Sequence, residues 1–256
     1  MTQPMVLAYH EVMSESTYAY CVSCKTFREH LSMLRSEAEE TGCCAHITFD
    51  DGEQSQLQNA LPLLAEQGIT ATYFVNPGLI GRERKFLSWE QLRQLQAAGH
   101  FVQSHGWSHK FLTSCNGQEL AQELVKSKET LEQKLGSPVE EISLPGGRWD
   151  RRVIEACAHA GYKRVYVSDP WVTSEMVGIE IIGRFMVRRT TSVAELKRIV
   201  ERNKRALWKM KMRSHLKHSI VSVVGDGAYH RLWCALTGYN GFEAARQQGR
   251  SPEART

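Results

Sequence analysis

The 256-residue chain contains no apolar run of about 18 residues, the length a membrane-spanning helix needs. Its first ten residues, Met1 to His10, lack a basic stretch followed by a long apolar one, so no secretory signal is expected there. A cytoplasmic location, extending to the inner face of the membrane, is the expectation. Glycine and proline are sparse at 19 and 7 residues, too few for a fibrous or low-complexity protein. The seven cysteines include a single Cys-x-x-Cys, Cys21 and Cys24, with no second pair to complete a four-cysteine zinc site. Half a zinc site and a redox pair stay open for it, with reduced structural thiols the default.

Against these absences, 42% of residues are hydrophobic and 23% charged, enough for a sizeable core and incompatible with disorder throughout. One domain with an appendage, or two small domains, fit the length. The net charge of +4 conceals an uneven split. Residues 1–195 hold 19 Lys/Arg against 24 Asp/Glu, a net of −5, and residues 196–256 hold 13 against 4, a net of +9. A basic final quarter suggests contact with an anionic surface, either membrane or nucleic acid.

Apolar runs at 6–9, 45–49, 71–75, 100–103, 141–144, 164–167 and 181–187 read as seven strands. Helical spacing separates them at 26–40 with Thr26 as cap, 57–67 stopped by Gly68, 89–98 capped by Ser88, 118–135, and 151–160. Such alternation means parallel βα units, in a closed or nearly closed barrel or an open doubly wound sheet. Residues 1–190 carry this pattern. Residues 191–240 read as a basic helical extension, with Ser192 to about His218 helical, and the polar residues 241–256 as a disordered tail.

Polar and glycine-rich clusters follow the strands, where barrels place their chemistry. Thr48-Phe49-Asp50-Asp51-Gly52 sets two adjacent carboxylates at a strand end. At a strand-to-loop turn both can reach one site; a surface turn is the plainer alternative. His105-Gly106-Trp107-Ser108-His109 spaces two imidazoles four apart, which on a helical turn suits one metal ion; two structural histidines are the alternative.

With Pro145-Gly146-Gly147 and Asp169-Pro170-Trp171, these motifs resemble the polysaccharide deacetylases of carbohydrate esterase family 4, the NodB-homology family, over about residues 5–190. The resemblance implies a deformed (β/α) barrel with about seven strands. It implies Asp51, His105 and His109 as metal ligands and Asp50 as general base. The implied chemistry is hydrolysis of an N-acetyl group on an amino sugar, with a divalent ion polarising the acetyl carbonyl and acidifying its bound water. Zinc is the default ion, and cobalt and nickel suit the same ligands. A backbone N–H near Gly146 would help hold the oxyanion, Gly147 belongs to the same close-approaching loop, and Trp171 would wall the acetyl methyl or simply pack in the core.

The match is incomplete in two places. The family's third motif begins with an arginine that orients the base, where this chain has Ser143. Arg148 could reach back instead, pairing with Asp169, or lie on the surface. The Leu-x-His that supplies the acid has no convincing copy, and His10, ending the first strand, is the replacement candidate. Another C–N hydrolase and a glycan-binding pseudoenzyme are the rival readings. In the basic extension, Lys204, Arg205, Lys209, Lys211, Arg213 and Lys217 interleave with Trp208, Met210 and Met212. This resembles an interfacial helix suited to anionic lipid and a lipid-linked glycan; a solvated helix packed on the barrel is the alternative. No recognition motif supports nucleic acid.

Overall fold

The computed structural model describes residues 4–203, apart from 17, 43, 83 and 84, together with residues 205, 208 and 212. In chain order the strands are β1 (Met5–Tyr9), β2 (Glu11–Val12), β3 (Cys21–Val22), β4 (Ala45–Phe49), β5 (Ala71–Val75), β6 (Phe101–Ser104), β7 (Glu141–Ser143), β8 (Arg164–Val167), β9 (Thr173–Met176) and β10 (Ile179–Met186). The helices are α1 (Cys24–Thr41), α2 (Leu61–Gln67), α3 (Trp89–Ala97), α4 (Gly117–Ala121), α5 (Ser127–Leu135), α6 (Arg151–His159) and α7 (Val193–Val200).

Seven strands pair in parallel in the order β1-β4-β5-β6-β7-β8-β10, and β10 pairs back onto β1 to close the barrel. The strand alternation alone left barrel and open sheet both possible and the family resemblance implied the barrel; the β1–β10 pairing bears the barrel out. β9 adds an antiparallel hairpin on β10, and β2 and β3 form a separate parallel pair above the end of β1. All five residues of β1 and of β5 are buried, as expected of parallel strands covered on both faces. Leu7, Phe49, Leu64, Leu92, Leu131, Ile154 and Leu196 belong to the core between barrel and helices. Val6, Phe74 and Tyr166 fill the barrel interior.

Local capping sets the helix starts. Ser88 and Gln91 form a reciprocal capping box on α3, and Asp150 caps α6 by accepting from Val153 N–H at 2.8 Å. The cap of α1 is Ser23 rather than Thr26: Ser23 Oγ accepts the Thr26 N–H at 3.0 Å, so the helix begins two residues earlier than its apolar spacing suggests. Two helices widen into π-turns, at Gln56–Ala60 before α2 and Gln122–Lys126 between α4 and α5.

The residues after 190 are not all appendage. Ser192 caps α7, and Leu196, Ile199 and Val200 are buried in the main core. Lys197 pairs with Glu37 of α1, so α7 is a barrel-packed helix. It ends at Val200, with Arg202 at φ 55, so the helix expected to run from Ser192 to about His218 is interrupted there. Beyond residue 203 only Arg205, Trp208 and Met212 are described, each helical and exposed; the rest of the basic extension and residues 241–256 lie outside the described residues. Among the described residues no helix is long and apolar enough to cross a membrane.

Candidate active site

Asp50 and Asp51 leave β4 at the carboxyl end of the barrel and immediately diverge. Asp51 adopts φ 76 and Gly52 φ 71, which turns the second carboxylate away from the strand direction. Aspartate tolerates this left-handed backbone better than most residues. Gly52 is needed as glycine, because a Cβ there would stand 2.9 Å from Val75 Cγ1.

Asp50 points into the barrel and is almost wholly buried. Arg184, fully buried on β10, grips it with two parallel bonds, Nη1 to Oδ1 and Nη2 to Oδ2, each 2.7 Å. The same guanidinium donates to Thr48 Oγ1 at 3.1 Å and Ser143 Oγ at 2.7 Å. Ser143 Oγ in turn donates to Asp50 Oδ2 at 3.3 Å. Burial alone would raise the Asp50 carboxyl, but Arg184, His105 and His10 outweigh it and hold the group at about 2. Asp50 is therefore anionic at neutral pH and fixed in direction.

The arginine facing the first carboxylate is thus Arg184, not Arg148. Arg148 follows the Pro145–Gly147 turn and lies over the Phe111 ring at 4.0 Å. Ser143, standing where an arginine was expected, instead takes a hydrogen bond from Arg184. A signal for Arg184 was present: an arginine inside the apolar run 181–187 will not be buried unless something pairs with it.

Asp51, His105 and His109 form the second half. Their ligand-type atoms all lie within 4.8 Å of one another. His105 Nε2 and His109 Nε2 face Asp51 Oδ1 at 3.5 and 3.2 Å. That oxygen is buried with no hydrogen-bond partner, and it gains an ionic one only if an imidazole carries a proton. His105 Nδ1 lies 2.7 Å from the Ser143 carbonyl. Donation there fixes the tautomer and leaves the Nε2 lone pair aimed at Asp51. Burial drives His105 down to about 4, so it is neutral at pH 7. Two imidazoles and a carboxylate converging around an oxygen without a hydrogen bond are a donor set that fits a divalent cation.

The loop carrying the histidines is held from outside. Glu123, in the second π-turn, accepts the N–H groups of Trp107 at 2.9 Å and Ser108 at 2.8 Å, and also the Ser108 hydroxyl. The buried Asn76 amide donates to the carbonyls of His105 and Gly106. His109 itself sits at φ 63, a conformation the loop must enforce. Gln56, opening the first π-turn, donates through one nitrogen to the carbonyls of Asp50 at 2.5 Å and His10 at 3.0 Å. Glu123, Asn76 and Gln56 went unread in the sequence, since each acts on backbone far along the chain. Both π-turns carry one of these supports, in keeping with the frequent placement of π-bulges at functional sites.

His10 follows β1, whose Tyr9 is in register with Phe49 of β4. It is near enough for its charge to act on both carboxylates. The remaining candidates sit on neighbouring rim loops. Gly146 and Gly147 have φ 66 and 65; Cβ atoms there would come within 2.6 Å of the Phe111 ring and 2.1 Å of Ser168 Oγ. The Gly147 N–H is spent on the Leu144 carbonyl at 2.7 Å. Asp169 Oδ1 accepts the Trp171 N–H at 3.2 Å, and the half-buried Trp171 keeps its indole Nε1 buried without a partner.

Fold and site together define a seven-stranded (β/α) barrel with an Asp-His-His cluster at its carboxyl-end rim. A polysaccharide deacetylase family profile matches residues 38–165. YxkH of Bacillus subtilis (strain 168), whose name places it provisionally among polysaccharide deacetylases, is 26% identical over 199 residues, 71% of this chain and 70% of YxkH. The chitooligosaccharide deacetylase of Sinorhizobium fredii is 30% identical over 130 residues, and the chain spans little more than half of it, 49% of this chain against 57% of that one. The Streptococcus pyogenes deacetylase PplD, solved with acetate, shares the fold at a TM-score of 0.65 and 19% identity, over 75% of this chain and 96% of PplD. The chain belongs to the polysaccharide deacetylase family, the NodB-homology barrels.

Proposed function

We propose that the protein is a divalent-metal-dependent N-deacetylase acting on N-acetylated amino sugars in a glycan or glycoconjugate. The observation that carries this is the division of the two carboxylates. Asp50 is saturated by Arg184 and Ser143, whereas Asp51 faces two imidazoles with an unsatisfied oxygen. Asp51, His105 and His109 would hold the ion, zinc by default, with cobalt or nickel suiting the same donors. Such an ion supplies Lewis acidity toward an acyl carbonyl and acidity to water.

The remaining roles belong to the chain. Asp50 accepts the proton of the attacking water. Arg184 keeps Asp50 anionic and aimed, the part the sequence offered to Arg148. The Gly146 backbone N–H meets the developing oxyanion, with Gly147 allowing the close approach. Trp171 walls the acetyl methyl, and Asp169 and Arg148 line the adjoining rim. His10 gives a proton to the departing nitrogen as the C–N bond breaks, so that amide and water become amine and acetate. A relative named for chitooligosaccharides and a fold neighbour solved with acetate make the N-acetyl sugar the first substrate to try.

Acetate release from zinc-loaded protein, screened over N-acetylated sugars, lipid-linked intermediates and polymers, tests the proposal. Turnover should fall by about 10²–10⁴-fold in Asp50→Asn. Metal-loaded protein that releases no acetate from any of them would contradict it. The basic extension suits recruitment to an anionic membrane face and a lipid-linked glycan, with no nucleic acid partner. The exposure of Trp208 and Met212, at 63% and 51%, supports this reading. Removing residues 204–256 should abolish sedimentation with phosphatidylserine vesicles; unchanged sedimentation refutes it.

A further inference from the structure

The proton donor proposed above lacks the usual means of holding a catalytic imidazole. Such a ring is ordinarily aimed by a hydrogen bond from its second nitrogen to a carboxylate or carbonyl. His10 Nδ1 is buried with no hydrogen-bond partner. Its backbone is fixed, since Gln56 donates to the His10 carbonyl, but that does not set the ring. The ring stacks instead on Tyr20, with centroids 5.1 Å apart and planes at 29°.

Tyr20 is itself held on several sides. Tyr18 meets it edge-on at 5.8 Å, and the Arg188 guanidinium lies 5.8 Å from its ring. The backbone of this excursion is pinned to the loop after β10 by Arg189 N–H donating to Ala19 O at 2.8 Å. Beyond it, the β2–β3 pair sets Cys21 beside Glu11. The aromatic wall is therefore tied to β1, which His10 directly follows, through β2, and to the neighbouring strand β10 through its loop.

Resting on the reading of His10 as donor, we propose that Tyr20 is the positioning residue for that donor. Its ring face fixes the imidazole plane so that the His10 proton meets the amine nitrogen at the moment of C–N cleavage. In that step the C–N electron pair goes to nitrogen, nitrogen takes the His10 proton, and His10 is reprotonated from solvent, which receives the proton Asp50 took from water. Tyr20 touches no reacting atom. Its effect appears only where the leaving group needs a proton.

That condition supplies the test. Zinc-loaded full-length protein is assayed on an N-acetylglucosamine oligomer, whose amine must be protonated to leave, and on p-nitrophenyl acetate, whose phenolate need not be. Tyr20→Ala should lower kcat on the oligomer by about 10-fold or more with little change in KM. The aryl ester rate should stay within about twofold of wild type. Tyr20→Phe should restore the oligomer rate, and Tyr20→Ala added to His10→Ala should cost nothing further. Tyr20→Leu, which keeps bulk without the ring face, repeats the test should the alanine variant fold poorly.

Equal losses on both substrates would make Tyr20 structural, and a raised KM with unchanged kcat would make it a sugar contact; either overturns the proposal. Full oligomer turnover in Tyr20→Ala alongside a slow His10→Ala overturns it while leaving His10 as donor. Full turnover in His10→Ala removes the donor reading itself and the proposal with it.

Discussion

The two halves of the site are built from adjacent residues and treated in opposite ways. Around Asp50 both carboxylate oxygens are engaged, the partner arginine is fully buried, and the group is held at about 2. Around Asp51 an acceptor is left without a hydrogen bond, and two members of the Asp-His-His cluster, Asp51 and His109, sit in left-handed backbone. In the first half protein alone engages both carboxylate oxygens, with Arg184 Nε the one guanidinium nitrogen left without a partner. The second spends conformational strain on convergence and leaves its valence to be satisfied by something else. On the proposed reading one Asp-Asp step would supply both a base, which needs a fixed direction and a lasting charge, and a metal ligand, which needs converging lone pairs, and φ 76 at Asp51 with Gly52 parts the two.

The contrast can be broken most severely at Arg184. Arg184→Met leaves a buried carboxylate without its counter-charge and should cost about 3–5 kcal/mol, read by denaturant unfolding. Burial then acts unopposed by Arg184, so the Asp50 carboxyl moves up and the acid limb of kcat/KM moves to higher pH. An unshifted acid limb in a folded variant would mean that Arg184 does not tune the base.

In the other half the expectation reverses. His109→Ala should weaken zinc binding by at least about 100-fold yet leave the metal-free protein near wild-type stability. The sharper version is His109→Gly, which relieves the φ 63 strain and should make the metal-free protein more stable by up to about 1 kcal/mol. A large loss of metal-free stability would show that the second half is also a finished packing unit.

A smaller effect is expected at Ser143, which bridges the halves through its hydroxyl on Asp50 and Arg184 and its carbonyl on His105. Ser143→Ala removes only the hydroxyl and should cost about 1–2 kcal/mol, with zinc affinity unchanged because the carbonyl remains. Weakened zinc binding would mean that the halves are coupled through the side chain.

The smallest and broadest effect is on pH. Burial, with Arg184 and Arg164 nearby, lowers His46 to about 4, and burial lowers His105 to about 4. Unfolded histidines take up protons near pH 6.5. Metal-free stability should therefore be full above that pH and fall as pH drops from 6.5 toward 4. His46→Leu should flatten part of that slope in thermal melts; an identical slope would exclude His46 from it.

How far the sequence revealed this arrangement follows from how local each determinant is. The seven strands were legible because each is a short apolar run ended by polar or glycine-rich residues. The clustering of Asp50, Asp51, His105 and His109 was legible because each motif is contiguous and follows a strand. Closure was legible only through the family resemblance and not from the strand pattern, because it rests on the pairing of Val6 with Arg184 across most of the chain. Arg184 was missed for the same reason, although a charge in a buried strand was a clue. Glu123 and Gln56 resembled any polar helix residue until the π-turns put them on loop backbone. The boundary near 190 reflected a change in charge, whereas α7 is held by its apolar face, Leu196, Ile199 and Val200.

The central claim is that Asp50 acts off the metal and Asp51 on it. Zinc titration of Asp50→Asn and Asp51→Asn by calorimetry, paired with acetate release, tests this most directly. Asp50→Asn should bind zinc as wild type does yet turn over substrate about 10²–10⁴-fold more slowly, while Asp51→Asn should lose the zinc. Retention of zinc by Asp51→Asn, or its loss from Asp50→Asn, would contradict the account.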